Sequence, residues 1–222
     1  MAEASAQERL ERVRAGIAEA ARKAGRKAEE VTLVAVSKTF GAKAVRPLIA
    51  AGQRDFGENR VGEAAGKWPA LREEAPDIRL HMVGRLQSNK AEEAAGLFDI
   101  IHSLDRMSLL KALAKAMDKL GRRPDCFIQL DLEGEPQKGG CAPGELPALL
   151  DAARDAGIRV VGLMCLPPLG QEAAPYFALL AKHARAHGLE GLSMGMSADH
   201  ETAVMLGATH VRIGTALFGP RE

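Results

Sequence analysis

The sequence predicts one α/β domain, a closed (β/α)8 barrel with an extra helix in front of it. Three observations carry that expectation. Short apolar, β-rich runs alternate with amphipathic helical stretches eight times along the chain. No two strand-like runs lie close enough to form a hairpin, so the strands must pair in parallel through right-handed crossovers. The 222 residues exceed the usual length of one domain but lie within reach of a single α/β barrel. No Pro/Ser-rich linker or composition shift marks a second domain, so residues 1–222 are expected to form one unit.

The elements follow in order. From Ala6 to Lys23, apolar Leu10, Val13, Ile17 and Ala20 or Ala21 recur every three or four residues, as in an amphipathic helix. Residues 1–27 are therefore expected to pack on the barrel as an N-terminal addition. Thr32-Leu-Val-Ala-Val-Ser37 is apolar on both alternating sets, as a strand covered on both faces should be; a helix over 42–51 ends at Gly52. Strand Arg54–Gly57 leads to helix 58–73, Ile78–Val83 to 89–95, and Asp99–Ser103 to 106–119. Asp125–Leu130 leads to 144–156, Ile158–Cys165 to 171–187, and Glu190–Ser193 to 198–206; Thr209–Ile213 is the eighth strand. The segment Glu133–Gly140 is the densest irregular stretch and falls on the rim where barrels keep their functional loops. Lys138 within it is a candidate for helping ligand release.

Composition narrows the function. With 30 Lys+Arg against 29 Asp+Glu, the net charge is +1, without the basic excess of a dedicated nucleic-acid binder. No apolar run approaches a membrane span, and the start lacks the apolar stretch of a secretory signal. Glu3, Glu8, Glu11 and Glu19 run against a transit peptide. Cys126, Cys141 and Cys165 are odd in number and lack Cys-x-x-Cys spacing, which suits a reducing compartment. The cytoplasm is the expected location.

Two stretches carry candidate chemistry. Lys38 directly follows the first strand, where an ammonium aimed into the barrel mouth would be partly desolvated and available as an imine-forming amine; a lysine turning into solvent is the competing reading. In Thr209-His-Val-Arg-Ile-Gly-Thr215, alternation sends Val211 and Ile213 to the helix layer and Arg212 and Gly214 to the barrel axis. Arg212 then faces a ligand or a buried carboxylate. Gly214 and Thr215 offer N–H groups and a hydroxyl where barrels commonly bind phosphate. Leu192-Ser-Met-Gly-Met-Ser197 precedes an acidic turn, Asp199 and Glu201, and Ser197 reads as an N-cap whose hydroxyl could also hold an anion. Together, an imine-forming lysine, an axial arginine and a phosphate cup fit pyridoxal 5′-phosphate, through its aldehyde, ring nitrogen and phosphate.

Other residues carry less. Asn59 in Phe56-Gly-Glu-Asn59 is either a helix cap or a ligand contact, and Glu58 is a candidate for holding the lysine or its loop. His81 and His102 read as satisfied core histidines. His183 and His187 lack a third ligand, and no metal is expected. Cys165 reads as an inert thiol. No Walker loop or Gly-x-Gly-x-x-Gly fingerprint is present.

At these residues the sequence resembles the pyridoxal-phosphate homeostasis protein family of PLP-binding proteins. The matching stretches are Val34-Ala-Val-Ser-Lys-Thr39, Phe56-Gly-Glu-Asn59, His81-Met-Val-Gly-Arg-Leu-Gln-Ser-Asn-Lys90, Leu192-Ser-Met-Gly-Met-Ser197 and Val211-Arg-Ile-Gly-Thr-Ala-Leu-Phe-Gly219. The resemblance implies a barrel like the N-terminal domain of alanine racemases (PLP fold type III). It implies Lys38 as the internal aldimine, Ser197, Gly214 and Thr215 around the phosphate, Arg212 near the pyridine nitrogen, and Asn59 close by. It also implies a non-catalytic role in vitamin B6 homeostasis, with apo-PLP enzymes as possible recipients. The chain departs from the family pattern at Arg60, Gly62 and His200, which puts rim contacts in question. Arginine at the ring nitrogen would leave the pyridine neutral and discourage carbanion chemistry, and Tyr176 is the only tyrosine available as a second base. A PLP-dependent amino-acid racemase and a Schiff-base aldolase are the alternatives. A closed barrel with no free sheet edge is expected to be a monomer.

Overall fold

The computed structural model describes residues 4–134 and 139–219; Lys138 lies outside the described residues. The chain opens with α1 (Ala6–Lys23). Ser5 and Glu8 form a capping box there, each side chain bonding the other's backbone N–H. The predicted apolar stripe, Leu10, Val13, Ile17, Ala20 and Ala21, is buried. It packs against the last two helices of the barrel wall. Two arginines fix the helix there: Arg9 Nε donates to the Leu217 carbonyl at 2.7 Å and Arg26 Nη1 to that of Val204 at 2.9 Å. Leu10 is 1% exposed, so Leu10→Ala should lower unfolding free energy by about 3 kcal/mol, read as a drop in the urea midpoint at constant slope.

The barrel proper runs β1 (Thr32–Val36), α2 (Ala42–Ala50), β2 (Asp55–Glu58), α3 (Val61–Glu74), β3 (Arg79–Met82), α4 (Ala91–Leu97), β4 (Ile100–Leu104), α5 (Met107–Leu120) and β5 (Asp125–Gln129). It continues with α6 (Leu146–Asp155), β6 (Val160–Met164), α7 (Ala174–Ala186), β7 (Gly191–Ser193), α8 (His200–Met205), β8 (His210–Ile213) and α9 (Thr215–Phe218). The eight strands pair in sequence order and close, with β1 parallel to β8 in the register Val34↔Arg212. This is the predicted closed parallel barrel.

Most differences lie at element ends. Helix α7 begins at Ala174 rather than Gln171, because Pro175 occupies its first turn and sets the start. Helix α8 begins at His200 rather than Ala198, with Asp199 and not Ser197 at the N-cap. The Asp199 carboxylate accepts from the Met196 N–H at 2.6 Å instead, so the Ser197 cap is corrected. The four-residue α9 was not expected from the sequence.

Two layers of side chains result. The large apolar cluster lies between the strands and the helices and includes Val211 and Ile213. Inside the barrel are two small apolar groups, Val34, Val36 and Val83 on one side and Ile100, Phe127 and Met164 on the other. Buried polar side chains occupy the space between, among them Asp55, His81, His102, Ser193 and Arg212. Barrel interiors are usually filled by branched aliphatic layers, so this polar filling marks the region below the rim as specialised.

Candidate functional site

A cavity of about 550 Å³ opens at the C-terminal ends of the strands. Lys38, Asn59, Ser197, Arg212, Gly214 and Thr215 all line it. They come from four βα segments, and strand parity explains how they meet: Val34, Val36 and Lys38 lie on one alternating set of β1, His210, Arg212 and Gly214 on one set of β8. Lys38 is half-buried.

The turn bearing Lys38 is held from below by a buried ion pair. Glu58, fully buried, accepts from Ser37 Oγ at 2.6 Å and Trp68 Nε1 at 2.9 Å, and pairs with Lys67 Nζ at 2.6 Å. Lys67 Nζ also donates to the carbonyls of Ser37 (2.9 Å) and Phe40 (2.7 Å), one on each side of Lys38. Thr39 takes the left-handed conformation (φ 68°), and its N–H donates to Glu63 at 2.5 Å. A non-glycine residue at positive φ is strained and persists only where its surroundings hold it; here Glu63, Lys67 and Glu58 do so. Glu58 therefore acts through the turn, as the sequence suggested, while Lys67, Trp68 and Glu63 were missed. Their signal was present: a lysine and the only tryptophan fall on the apolar stripe of α3 with Val61, Ala64 and Leu71.

Arg212 is held by a longer device. Its Nη1 donates to Ser193 Oγ at 2.6 Å and its Nη2 to the Cys165 carbonyl at 2.9 Å. Ser193 Oγ lies 2.8 Å from His102 Nδ1, His102 Nε2 lies 2.9 Å from His81 Nδ1, and His81 Nε2 lies 2.9 Å from Asp55. With both rings neutral, one polarity satisfies every contact. Arg212 donates to Ser193, Ser193 to His102, His102 to His81, and His81 to the carboxylate. The chain links a guanidinium under the rim to Asp55, which Arg79 also pairs at 2.9 Å. The sequence anticipated a buried carboxylate facing Arg212 as one alternative; the structure supplies that carboxylate three side chains away.

Burial governs the charges along this chain. Desolvation, with His81, His210 and Arg212 nearby, holds His102 well below the usual imidazole range. Desolvation with His81 lowers His210 to about 3 against the opposing pull of Asp55. Burial raises Asp55, but the hydrogen bond from His81 and the guanidinium of Arg79 outweigh it and leave its carboxyl below the usual range. Burial lowers Arg212 to about 10, so it stays a cation at neutral pH. His102 stacks on Phe127 (4.6 Å between ring centres), and His210 meets the same ring edge-on at 5.0 Å. His81 and His102 are thus satisfied core histidines, as expected, but linked to each other and to the site.

Backbone shape completes the cavity. Gly195 (φ 93°) could not carry a Cβ, which would sit 2.5 Å from that of Ala203. Its carbonyl accepts from the Arg212 N–H at 2.9 Å, which pins the loop bearing Ser197 to β8. At Gly84 a Cβ would lie 2.4 Å from the Asn59 carbonyl oxygen, so only glycine lets the two segments touch and holds Asn59 at the cavity wall. Asn59 itself is not the cap of α3; Arg60 stands there. Phe40 and Phe218 stack at 4.7 Å, with Phe40 on the cavity rim.

The remaining candidates lie elsewhere. Burial raises the thiols of Cys126, Cys141 and Cys165 to about 12, consistent with an inert Cys165. His187 Nδ1 is engaged by the His183 carbonyl at 3.0 Å. No group of three or more potential metal ligands occurs among the described residues. Tyr176 bonds Gln171 at 2.8 Å and does not line the Lys38 cavity. No helix among the described residues is long and apolar enough to cross a membrane.

The family model for the alanine racemase N-terminal domain matches residues 9–222. A pyridoxal phosphate homeostasis protein of Pseudomonas aeruginosa is 44% identical across 97% of this chain and 95% of its own. The chain belongs to the pyridoxal phosphate homeostasis protein family. PipY of Synechococcus elongatus, solved without PLP, superposes on this homeostasis-family chain with a TM-score of 0.82 at 40% identity, covering 96% of this chain and 99% of PipY. PipY solved with PLP bound gives 0.80 at 40% identity, covering 91% and 100%. An alanine racemase of Streptomyces coelicolor shares the fold alone: TM-score 0.68, 23% identity, 94% of this chain and 58% of the racemase.

Proposed function

We propose that this homeostasis-family protein binds pyridoxal 5′-phosphate in the 550 Å³ cavity and holds it in reserve for recipient apo-enzymes in the cytoplasm. The observation that carries the reading is the convergence of Lys38, Arg212, Ser197, Gly214 and Thr215 on that cavity. The donor set fits the cofactor: an amine for the aldehyde, a braced guanidinium for the ring nitrogen, and two hydroxyls beside a glycine for the phosphate. PipY with PLP bound, at 40% identity, supports the same assignment.

When bound, the cofactor supplies an electrophilic carbonyl and an aromatic ring able to take up electron density. The protein limits the second capacity. Arg212 donates to whatever faces it and has no proton to share at neutral pH, so the pyridine stays neutral. Its donor role is enforced by the chain ending at Asp55. A two-base reaction also needs a second acid or base opposite Lys38, and Tyr176 does not line the cavity. A carrier without robust catalysis follows. Closure of all eight strands leaves no edge that demands a partner, which supports a monomer.

Titration of the purified protein with pyridoxal 5′-phosphate should give a visible absorbance band. Borohydride should fix it as a mass adduct on the Lys38 peptide, and Lys38→Ala should lose both. An adduct on another lysine, with Lys38→Ala loading normally, would overturn the assignment. Solvent exchange of an amino-acid α-proton at enzymatic rates would favour a racemase instead.

A further inference from the structure

Beside the Lys38 cavity lies a second cleft of about 820 Å³, which shares Asn59, Gly84 and Arg85 with it. Its lining contains Arg60, Arg85, Lys90 and Arg106 and no carboxylate. On a chain whose net charge is +1, four cations around one opening make a local concentration of positive charge. Two of them are engaged: Lys90 Nζ pairs with Glu93 at 2.7 Å, and Arg106 with Asp105 at 2.5 Å and the Leu86 carbonyl at 3.0 Å. The Arg60 and Arg85 side chains make no hydrogen bond or ion pair among the described residues. That differs from surface arginines such as Arg46, Arg54 and Arg154, which sit against Glu74, Asp77 and Asp151.

The neighbouring side chains suit the same kind of ligand. Gln87, Ser88 and Asn89 bring amides and a hydroxyl to the cleft, and Val61, Met82 and Leu86 are its buried apolar members. Gly62 has open space where a side chain would stand, so the approach beside Arg60 is clear. Two guanidinium forks present planar donor pairs that match carboxylate or phosphate oxygens. Their combined charge of two balances a dianion.

We propose that this cleft is a second binding site, for a small molecule carrying a phosphate monoester, placed against the cofactor cavity and touching it through Arg85 and Asn59. The placement as an annex to a cofactor site rests on the function proposed above; the anion site itself does not. Because Arg85 lines both spaces, a dianion in the cleft draws that guanidinium away from the cofactor cavity. Occupancy of one site therefore alters affinity at the other, and by the same factor in both directions.

The test uses phenyl phosphate, which has no aldehyde for Lys38, titrated calorimetrically into the protein before and after borohydride-fixed loading with pyridoxal 5′-phosphate. Binding is expected in both forms, with affinity falling as salt rises. Arg60→Ala, which leaves the cofactor cavity lining intact, should weaken phenyl phosphate by about tenfold, a typical loss for one charge-assisted contact, without changing cofactor loading. Failure to load the cofactor would sink the functional reading while Arg60-dependent binding still supported the cleft. Binding that disappears on loading and ignores Arg60 would place the anion in the cofactor cup and overturn the proposal. Arg60-dependent binding of polyglutamate without binding of phenyl phosphate would overturn it in favour of an acidic protein segment.

Discussion

Glu58→Ala is expected to destabilise the protein by about 3–5 kcal/mol, the cost of stranding one partner of a buried ion pair. Lys67 would keep its charge among buried groups (its side chain is 7% exposed), facing two carbonyls and, at 3.6 Å, the partly exposed Glu63 carboxylate in place of its buried partner. Ser37 Oγ and Trp68 Nε1 would lose their shared acceptor, and each orphaned buried donor adds a penalty of about 1–3 kcal/mol if it finds no water. Urea unfolding reads the loss directly. The double substitution Glu58→Leu/Lys67→Met separates stability from positioning. Replacing both charges by apolar groups of similar volume should restore most of the stability, but it removes the ammonium that ties Ser37 to Phe40 around Lys38. Cofactor loading should then stay weak in a well-folded protein. A double variant that regains loading with its stability would show that the pair serves the fold alone, and a loss under 1 kcal/mol in Glu58→Ala would refute the ion-pair account.

Acid should unfold this protein through the histidines inside its barrel. His102 and His210 are held neutral in the folded state, below the imidazole range, by burial and neighbouring cations. In the unfolded chain they titrate near 6.5. The unfolded state therefore binds more protons than the folded one below that value. Stability is present above pH 6.5 and is lost as pH falls, for His210 until about pH 3. Each such group removes about 1.4 kcal/mol per pH unit. Two together should remove roughly 5 kcal/mol by pH 4.5, comparable with the whole stability of many domains. Asp55, whose carboxyl lies below its usual range, adds to the loss at lower pH. Unfolding free energies across pH 7 to 4.5 should fall with a slope near two protons, and His210→Phe should halve it. A flat profile from pH 6.5 to 5 would contradict the burial argument.

The arrangement of the candidate site was readable wherever it depends on strand parity. Counting by twos was enough to place Arg212 and Gly214 on the inward set of β8; Lys38 continues the inward set of β1, but its position alone left a solvent-facing lysine open until the family resemblance was weighed. The same counting would have put Asp55, His81, His102, Ser193 and His210 inside, but each was weighed alone and the shared inward polarity of five strands went unread. Ser197 was misplaced as a cap because Asp199 competes for that position two residues on, and local pattern does not rank the two.

Periodicity by itself determined the alternation of strands and helices, the parallel closed barrel, the buried stripe of α1 and the inward direction of the arginine, because each depends on neighbours within a few residues. Only the tertiary structure decided which inward groups touch. Asp55 and Arg212 stand at opposite ends of one hydrogen-bonded chain, and Lys67 reaches back across a whole βα unit to grip the turn around Lys38. Those partnerships depend on barrel closure and on the register of each strand pair, which bring together residues as far apart in sequence as His102 and Ser193, 91 positions. No repeat along the chain encodes that distance.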